Sequence, residues 1–339
     1  MKTSDFNYIL PPEAIAQTPI EPRHNSRLMV LRRNTLEIED SIFKNIGSYF
    51  KRGDLLVINQ TRVIPARLFA RKPTGGSVEL LLLKRLETEI WEALVGGKGM
   101  KPGVRVRVEG GPEAEIVSDL SGSRRVVRFL QPIENLLPNV GQMPLPPYIH
   151  TPLKDPERYQ TVYSAQSGSA AAPTAGLHFT PELMNELEGQ GIRFARVTLH
   201  VGLDTFAPIT EADPLDHKIH SEWCEVTEDA VNLINETKTH GGRVIAVGTT
   251  SVRTLESSAA VSTIAYRAAP ISGPTELFIL PGYSFKVVDA IITNFHLPQS
   301  SLLMLISAFA GREKILDAYQ TAVQRGYRFY SFGDAMLIL

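Results

Sequence analysis

Residues 55–68 read LLVINQTRVIPARL, and the character of the chain changes within this stretch. Four apolar residues follow the turn residues Gly53-Asp54, which predicts a buried strand. The polar residues NQTR come directly after that strand. In α/β proteins ligands bind beyond the carboxyl ends of such strands, so Asn59 and Arg62 are candidate substrate-binding residues. The alternative for Asn59 is a turn-forming asparagine.

Downstream of this stretch the pattern is that of a small all-β domain. Short β-type segments, most of them separated by Gly or Pro turns, occur at 68–71, 78–83, 90–95, 104–108, 114–117 and 126–130. Such a series without helices predicts a small barrel or sandwich. Twelve Lys/Arg against eight Asp/Glu give residues 66–130 a charge of +4. This basic module could contact a phosphate backbone, or its charges could form an ordinary solvated strand face.

The rest of the chain alternates strands with helices. Helix caps are expected at Thr180, Thr227 and Ser300, and the runs 192–199, 244–247 and 287–293 have the composition of strands. This alternation predicts an α/β domain with a largely parallel sheet. We therefore expect a discontinuous α/β catalytic domain over 1–65 and 145–339, with a β domain inserted over 66–144.

Residues 158–180, RYQTVYSAQSGSAAAPTAGLHFT, are dense in Gly, Ala and Pro. Small side chains allow the backbone to come close to a ligand or to another chain segment, and both interpretations are open. His178 ends this stretch. Other histidines in polar or Gly-rich contexts near strand ends or loops are His200, His217, His220 and His296. Loops at the carboxyl ends of parallel strands meet in one crevice, which favours a shared site over separate structural roles.

Two further motifs suggest ligand chemistry. Gly248-Thr249-Thr250-Ser251 follows a strand and precedes a helix, so it could bind an anion, with Ser251 as an ordinary cap the alternative. It matches neither a P-loop nor a GxGxxG fingerprint, and no GxSxG elbow occurs. His217-x-x-His220-x-Glu222 has metal-ligand residue types, but not the His-Glu-x-x-His order of a zinc protease.

Composition narrows the class of protein. The length of 339 residues suggests two domains, and a net charge of −1 gives little support for a nucleic-acid partner. The single cysteine, Cys224, allows no internal disulfide and suits a reducing cytoplasm. Residues 1–17 have no apolar run typical of a signal peptide, and no apolar run of 18 residues occurs elsewhere. We expect a cytoplasmic protein without membrane contact.

Nine motifs, in a fixed order along the whole chain, resemble the S-adenosylmethionine:tRNA ribosyltransferase-isomerase family. They are SRLMVL (26–31), LLVINQTRVIPARL (55–68), PLPPYI (144–149), the stretch 158–180, TLHVGLDTF (198–206), HKIHSE (217–222), VGTTSVRTLE (247–256), TNFHLPQSSLLMLISAFAG (293–311) and YRFYSFGDAML (327–337). Two positions depart from the family pattern. Asp204 stands where the family usually has Gly, and Ile219 where it usually has Met.

The resemblance implies an α/β domain with an inserted β-barrel, and an enzyme of queuosine biosynthesis. The implied reaction moves the ribosyl part of S-adenosylmethionine onto 7-aminomethyl-7-deazaguanine at the tRNA wobble position. The product is epoxyqueuosine, and methionine and adenine leave. The implied partners are S-adenosylmethionine and the tRNA that carries this base. No metal or cofactor is expected, and we expect a monomer or a weak homodimer.

Site residues follow from their positions in the matching motifs. The sulfonium acidifies the neighbouring ribose 5′ hydrogens, so a histidine base is suited to start the reaction. The expected catalytic residues are His178, His200, His220, His296 and Glu222. Arg253 is expected to pair with the methionine carboxylate, and Tyr159 or Tyr163 to stack on a base, with core packing as the alternative. The remaining expected substrate-binding residues are Asn59, Arg62, Arg158, Gln160, Ser169, Thr174, Thr249, Thr250 and Asn294.

Two other classes of function stay open at this point. One is a metal-assisted hydrolase that uses His217, His220 and Glu222. The other is a non-catalytic tRNA-binding protein that uses the basic β module. A methyltransferase is disfavoured because the usual Gly-rich adenosine loop is missing.

Overall fold

The computed structural model describes residues 1–35, 37–202 and 208–339, so the departure at Asp204 lies outside the described residues. The chain divides into two compact units. The sheet unit comprises Met1–Thr61, Pro147–Gln166 and Pro173–Leu339, and the barrel unit comprises Arg62–Pro146 and Ser167–Ala172. The insertion bounds expected from the sequence, 66 and 144, stay a prediction.

The strands alternate with helices in the second half of the chain and follow one another directly in the barrel unit. In chain order the strands are β1 (Arg27–Leu31), β2 (Ile38–Ile42), β3 (Leu55–Asn59), β4 (Thr61–Val63), β5 (Arg67–Arg71), β6 (Ser77–Arg85), β7 (Ile90–Gly96), β8 (Arg105–Val108), β9 (Glu113–Asp119), β10 (Arg124–Phe129), β11 (Gly141–Gln142), β12 (Gln166–Ser169), β13 (Arg193–Leu199), β14 (Glu222–Val226), β15 (Val244–Val247), β16 (Ile271–Thr275), β17 (Ala290–Asn294) and β18 (Ala335–Ile338). The α-helices are α1 (Leu137–Val140), α2 (Pro181–Gly189), α3 (Glu228–Thr239), α4 (Thr249–Val261), α5 (Ser301–Ala310) and α6 (Arg312–Gln324).

The sheet unit contains a nine-stranded sheet in the order β16-β14-β13-β3-β15-β17-β18-β1-β2. Within this sheet the four adjacent strands β13, β3, β15 and β17 form a group in which all neighbours are parallel. Outside the group, β1 and β18 are parallel, and the other pairs are antiparallel. The α/β class is confirmed, and the sheet as a whole is mixed. Among the described residues, no α-helix lies between β1 and β2 or between β13 and β14, and such a connection suits an antiparallel pair.

The three helix caps expected from the sequence are confirmed. The hydroxyls of Thr180, Thr227 and Ser300 each accept a hydrogen bond from the backbone N–H three residues later, at 3.2–3.3 Å. Ser251 is not a cap. Helix α4 begins two residues earlier, after Gly248, and the Ser251 hydroxyl donates to the carbonyl of Val247 instead.

Apolar side chains cover both faces of the sheet. One face packs against α3, α4, α5 and α6, and its core includes Val252, Leu255 and Ile306. The other face packs against α2 and the segment before it, through Phe43 and Phe179. Because both faces are covered, the ends of the central strands are the places where polar side chains meet a crevice.

The barrel unit contains a closed antiparallel barrel. Six strands are joined in the order β5-β6-β7-β10-β9-β8, and β8 pairs back with β5. All six β segments expected between residues 66 and 130 are present as strands. Along β8, Val106 and Val108 are buried, whereas Arg105 and Arg107 are exposed. The inserted barrel is thus confirmed, and its core is made by one face of each strand.

Candidate active site

Several candidate residues meet at one edge of the sheet unit. Strands β13, β3, β15 and β17 are parallel, so their carboxyl ends lie together at this edge. The residues at or just beyond these ends are Asn59, His200, Gly248 and Asn294. The structure therefore brings together four of the motifs that the sequence analysis singled out.

Asn59 fastens two of these strand ends to each other. Its amide nitrogen donates to the carbonyl of Leu199 at 2.9 Å, and its amide oxygen accepts from the N–H groups of Leu199 and Thr61 at 3.1 Å. The side chain is fully buried. These contacts hold β3 and β13 in place, and a direct contact of Asn59 with substrate stays a prediction.

His200 follows β13, and its environment differs on the two sides of the ring. Its Nδ1 lies 2.8 Å from the Thr61 hydroxyl, and the Thr61 hydroxyl in turn donates to the carbonyl of Gln166 at 3.4 Å. The ring stacks on Trp223, with 5.3 Å between centroids and 19° between planes. Partial burial lowers the pKa of His200 below the ordinary histidine value. Among the described residues, no hydrogen-bond partner contacts Nε2.

The Thr61 hydroxyl has a single proton, so Nδ1 of His200 donates to Thr61 when that proton is directed to Gln166. In this tautomer Nε2 carries a lone pair, and the ring can accept a proton there.

A second group lies on β14, which pairs antiparallel with β13 through Leu199 and Cys224. Nε2 of His220 lies 3.1 Å from Oε1 of Glu222, and the same oxygen accepts from the Gly202 N–H at 2.9 Å. The other carboxylate oxygen accepts from Nη1 of Arg253. Glu222 thus links a histidine to an arginine.

Glu222 is buried, and burial alone would raise its pKa. The guanidinium of Arg253 and the hydrogen bond with His220 outweigh burial and lower the pKa of Glu222 to about 2. The carboxylate is therefore ionised at neutral pH. An ionised glutamate beside Nε2 orients the ring of His220.

Arg253 reaches this group from helix α4. Its Nε donates to the carbonyl of Leu277 at 3.0 Å, and its Nη1 is engaged by Glu222. The remaining nitrogen, Nη2, is buried and has no hydrogen-bond partner among the described residues. Bidentate binding of a substrate carboxylate would require one of the existing contacts to break. The predicted pairing of Arg253 with the methionine carboxylate therefore depends on Nη2 alone.

His178 is buried in the sheet unit and uses both ring nitrogens. Nδ1 lies 2.8 Å from the Ser26 hydroxyl, and Nε2 accepts from the amide of Asn294 at 3.2 Å. Thr174 completes the chain by donating to the amide oxygen of Asn294 at 2.8 Å. Burial, together with the charges of Arg328 and Arg23, lowers the pKa of His178 to about 3. This network joins three predicted site residues, and it keeps His178 neutral.

His296 is also buried. Its Nε2 lies 2.7 Å from the Thr293 hydroxyl, its N–H donates to the Tyr319 hydroxyl at 2.8 Å, and its carbonyl accepts from the Tyr8 hydroxyl. Burial lowers the pKa of His296 to about 3. Its side chain and backbone both fasten neighbouring segments, which is the pattern of a structural histidine. Catalysis by His178 or His296 stays a prediction.

The stretch 158–180 places its two tyrosines in the core. Tyr159 is fully buried and packs edge-on against Phe332 at 5.9 Å. Tyr163 is 5% exposed and packs against Phe179 at 6.4 Å. Packing accounts for the position of both rings, and stacking on a substrate base stays a prediction.

Arg158 and Gln160 flank Tyr159 and contact the segment near residue 20. Arg158 forms an ion pair with Glu21 and donates to the carbonyl of Ile20 at 3.0 Å. The backbone carbonyl of Gln160 accepts from Arg23 at 2.6 Å. These contacts join two segments of the same chain, and contact with substrate stays a prediction for both residues.

The last predicted residues fall in two places. Thr249 and Thr250 open helix α4 and are buried. Arg62, on β4, and Ser169, on β12, belong to the barrel unit. The Ser169 hydroxyl donates to the carbonyl of Ala171 at 2.6 Å. Roles for these four residues in substrate binding stay predictions.

The metal alternative has no support in the part of the chain that the structure describes. No group of three His, Cys, Asp or Glu side chains there is placed to hold a metal ion. His217 contacts Glu211 at 3.0 Å, whereas His220 contacts Glu222. The two histidines of the motif that suggested a metal site therefore contact two different carboxylates.

The basic face of the barrel carries its own counter-charges. Arg105 and Arg107 form ion pairs with Glu115 and Glu113 on the neighbouring strand, at 3.2 and 2.8 Å. Arg71, on β5, pairs with Glu109 in the same way. These arginines present less net charge than their number suggests, which favours the interpretation of a solvated strand face.

Thr61, Trp223 and Gly202 belong to the site and were not identified from the sequence. Thr61 and Gly202 stand next to residues that were, but a threonine or glycine in a loop gives no signal by itself. Trp223 is 38% exposed between buried neighbours on β14, and in the sequence a tryptophan directly after HKIHSE is a usable signal.

No helix among the described residues is long and apolar enough to cross a membrane.

The chain is similar along its whole length to proteins of known name. Residues 3–338 match the family described as "Queuosine biosynthesis protein". The chain is 54% identical to the S-adenosylmethionine:tRNA ribosyltransferase-isomerase of Carboxydothermus hydrogenoformans and 51% identical to that of Thermotoga maritima, with full coverage of both sequences in each case. A crystal structure of S-adenosylmethionine tRNA ribosyltransferase from Thermotoga maritima has a TM-score of 0.58 and 42% identity, and covers 99% of this chain and 100% of its own.

Proposed function

Since the chain belongs to the queuosine biosynthesis protein family, the S-adenosylmethionine:tRNA ribosyltransferase-isomerases, we propose the following reaction for it. The enzyme moves the ribosyl part of S-adenosylmethionine onto 7-aminomethyl-7-deazaguanine at the wobble position of tRNA. Epoxyqueuosine is formed, and methionine and adenine leave. Two groups, His200 with Thr61 beyond the end of β13 and His220 with Glu222 at the start of β14, are the observation that supports this proposal at the level of residues.

His200 is the proposed general base. Its Nε2 lone pair is held available by the Thr61 contact at Nδ1, and its lowered pKa keeps the ring neutral at physiological pH. The positive sulfonium acidifies the adjacent ribose 5′ hydrogens. Nε2 then takes one of these hydrogens as a proton and starts the reaction.

His220 is the proposed general acid. The ionised carboxylate of Glu222 lies 3.1 Å from Nε2 of His220 and orients the ring. Protonation of a leaving group, such as adenine, is the step proposed for His220. Glu222 and Arg253 act through His220 and are positioning residues.

The direct test is turnover with tRNA that carries 7-aminomethyl-7-deazaguanine. The protein is incubated with this tRNA and S-adenosylmethionine, and the tRNA nucleosides are identified by mass. We expect epoxyqueuosine with one adenine released per product. S-adenosylmethionine left intact while tRNA stays bound would contradict the proposal and favour a non-catalytic tRNA-binding protein.

Variants connect the test to the site. We expect His200→Gln and His220→Gln to lower turnover by 10²- to 10⁴-fold, the usual contribution of general acid–base catalysis. His240→Gln is the matched control, since His240 is exposed on the α3 end and contacts only the carbonyl of Glu236 in the described chain. Cytoplasmic location and a monomer or weak homodimer complete the proposal, and sedimentation velocity at two protein concentrations tests the oligomeric state.

A further inference from the structure

The start of helix α4 is buried and has no capping side chain. Gly248 precedes the helix with φ of +89°, a conformation that favours glycine, and no side chain caps the first turn. The first hydrogen bond of the helix runs from the Val252 N–H to the Gly248 carbonyl, so the N–H groups of residues 249–251 lie before it. These three residues are 6%, 8% and 0% exposed. A helix start that is buried without such a cap calls for another partner.

The Thr250 side chain supplies a second observation. Its Oγ1 is buried and has no hydrogen-bond partner among the described residues. It lies 3.5 Å from the position that a Cβ on Gly248 would occupy, so the hydroxyl points back toward the start of the helix. The neighbouring hydroxyls of Ser251 and Thr254 donate to backbone carbonyls at 2.8 and 2.9 Å. An unpaired buried hydroxyl costs free energy, so the Thr250 hydroxyl is suited to bind a further group.

The ligand that fits this place is a small anion. The helix dipole puts partial positive charge at the first turn, and N–H groups there bind carboxylate or phosphate oxygens. Burial of all three residues suits a small group better than a nucleic-acid backbone. Arg253, one turn further along α4, is neutralised by Glu222. The positive charge at the helix start is therefore less compensated than that of the Arg253 guanidinium.

We propose that the start of α4, with the Thr250 hydroxyl, binds the carboxylate of the methionyl part of S-adenosylmethionine. The inference rests on the proposed function, because that function supplies a substrate with a carboxylate. It assigns the carboxylate to the helix start and leaves the Glu222–Arg253 pair intact when substrate binds.

Calorimetric titration of the protein in the presence of tRNA tests this inference. S-adenosylmethionine is compared with its decarboxylated form, which keeps the sulfonium and adenosine but lacks the carboxylate. We expect Thr250→Val to weaken binding of S-adenosylmethionine about tenfold, the size of one hydrogen bond to a charged group, and binding of the decarboxylated form less than about twofold. Thr250→Ser retains a hydroxyl and should restore most of the affinity.

The matched control is Thr254→Val, one turn along the same helix, whose hydroxyl serves only the helix backbone. It should leave the ratio of the two affinities unchanged. Equal weakening of both ligands by Thr250→Val, or no weakening, would overturn the assignment. Weakened tRNA binding with unchanged S-adenosylmethionine binding would also overturn it, in favour of a phosphate site. Failure of the unaltered protein to bind S-adenosylmethionine would overturn the proposed function itself, and with it this inference.

Discussion

The four candidate histidines differ in what their ring nitrogens contact. His178 uses both nitrogens for buried partners, and His296 lies among hydroxyls in the core. His200 and His220 lie at the edge of the sheet, where Nδ1 of His200 contacts the Thr61 hydroxyl and Nε2 of His220 contacts the carboxylate of Glu222. Burial thus separates structural histidines from those suited to proton transfer.

Because burial lowers the pKa of His200, its base form persists below the ordinary histidine pKa of about 6.5. We expect the acid-side fall of kcat/KM to have its midpoint below pH 6.5. A pH profile of kcat/KM measures this. Loss of activity centred above the ordinary value would contradict the assignment of His200 as the base.

Glu222 and Arg253 form a buried ion pair, and removing one charge leaves the other uncompensated. We expect Glu222→Gln to lower the free energy of unfolding by about 3–5 kcal/mol, measured by urea denaturation. Glu211→Gln is the matched control, since Glu211 also contacts a histidine but is exposed to solvent, and no measurable change is expected. Equal stability of the two variants would show that the pair contributes little.

At the scale of elements, the packing of the stretch 158–180 requires its backbone to lie close to neighbouring side chains. A Cβ on Gly176 would lie 2.0 Å from the Tyr163 hydroxyl and 2.8 Å from Cγ2 of Thr161. The sequence left open whether these small residues serve a ligand or chain packing. At Gly176 the close neighbour is the protein's own core.

We therefore expect Gly176→Ala to destabilise the protein by about 1–3 kcal/mol, the usual cost of overpacking. Adding Tyr163→Phe removes the nearest atom and should recover part of that loss, as a double-mutant cycle would measure. Gly189→Ala is the control, since a Cβ there meets no atom within 4 Å. An additive double variant would contradict the proposed clash.

The elements that local pattern specifies were predicted, and those that depend on tertiary pairing were not. All six barrel strands and the caps at Thr180, Thr227 and Ser300 were expected, because alternation and capping are local signals. The strands that were missed are β2, β4, β11, β12, β14, β16 and β18. Strand β16 contains Gly273 and Pro274, and its pairing with β14 depends on residues almost fifty positions away.

At the scale of the whole molecule, the two buried histidines link stability to pH. Their pKa is about 3 in the folded chain, so between about pH 6.5 and pH 3 the unfolded chain binds protons that the folded chain does not. The contribution of the two neutral histidines to the free energy of unfolding is therefore complete above pH 6.5 and is lost as the pH falls. We expect the free energy of unfolding to fall by up to about 1.4 kcal/mol per pH unit for each histidine.

Urea denaturation at a series of pH values measures this slope. His296→Gln should reduce the slope between pH 6 and pH 4, as one of the two histidines is removed. An unchanged slope in that variant would mean that other groups govern acid unfolding.

The candidate site could be predicted only in part. The sequence proposed His200, His220, Glu222 and Arg253 from their motifs, and their roles stay predictions. It did not show that Glu222 would neutralise Arg253, or that Thr61 would contact Nδ1 of His200, because both contacts join residues far apart in the chain.

The most direct test of the central claim uses S-adenosylmethionine with deuterium at the ribose 5′ carbon. The protein is mixed with this substrate and the modified tRNA, and deuterium released into water is measured. We expect release by the unaltered protein and by His240→Gln, and at least a hundredfold slower release by His200→Gln, since general base catalysis contributes roughly that much or more. Release at an unchanged rate by His200→Gln would contradict the claim that His200 starts the reaction.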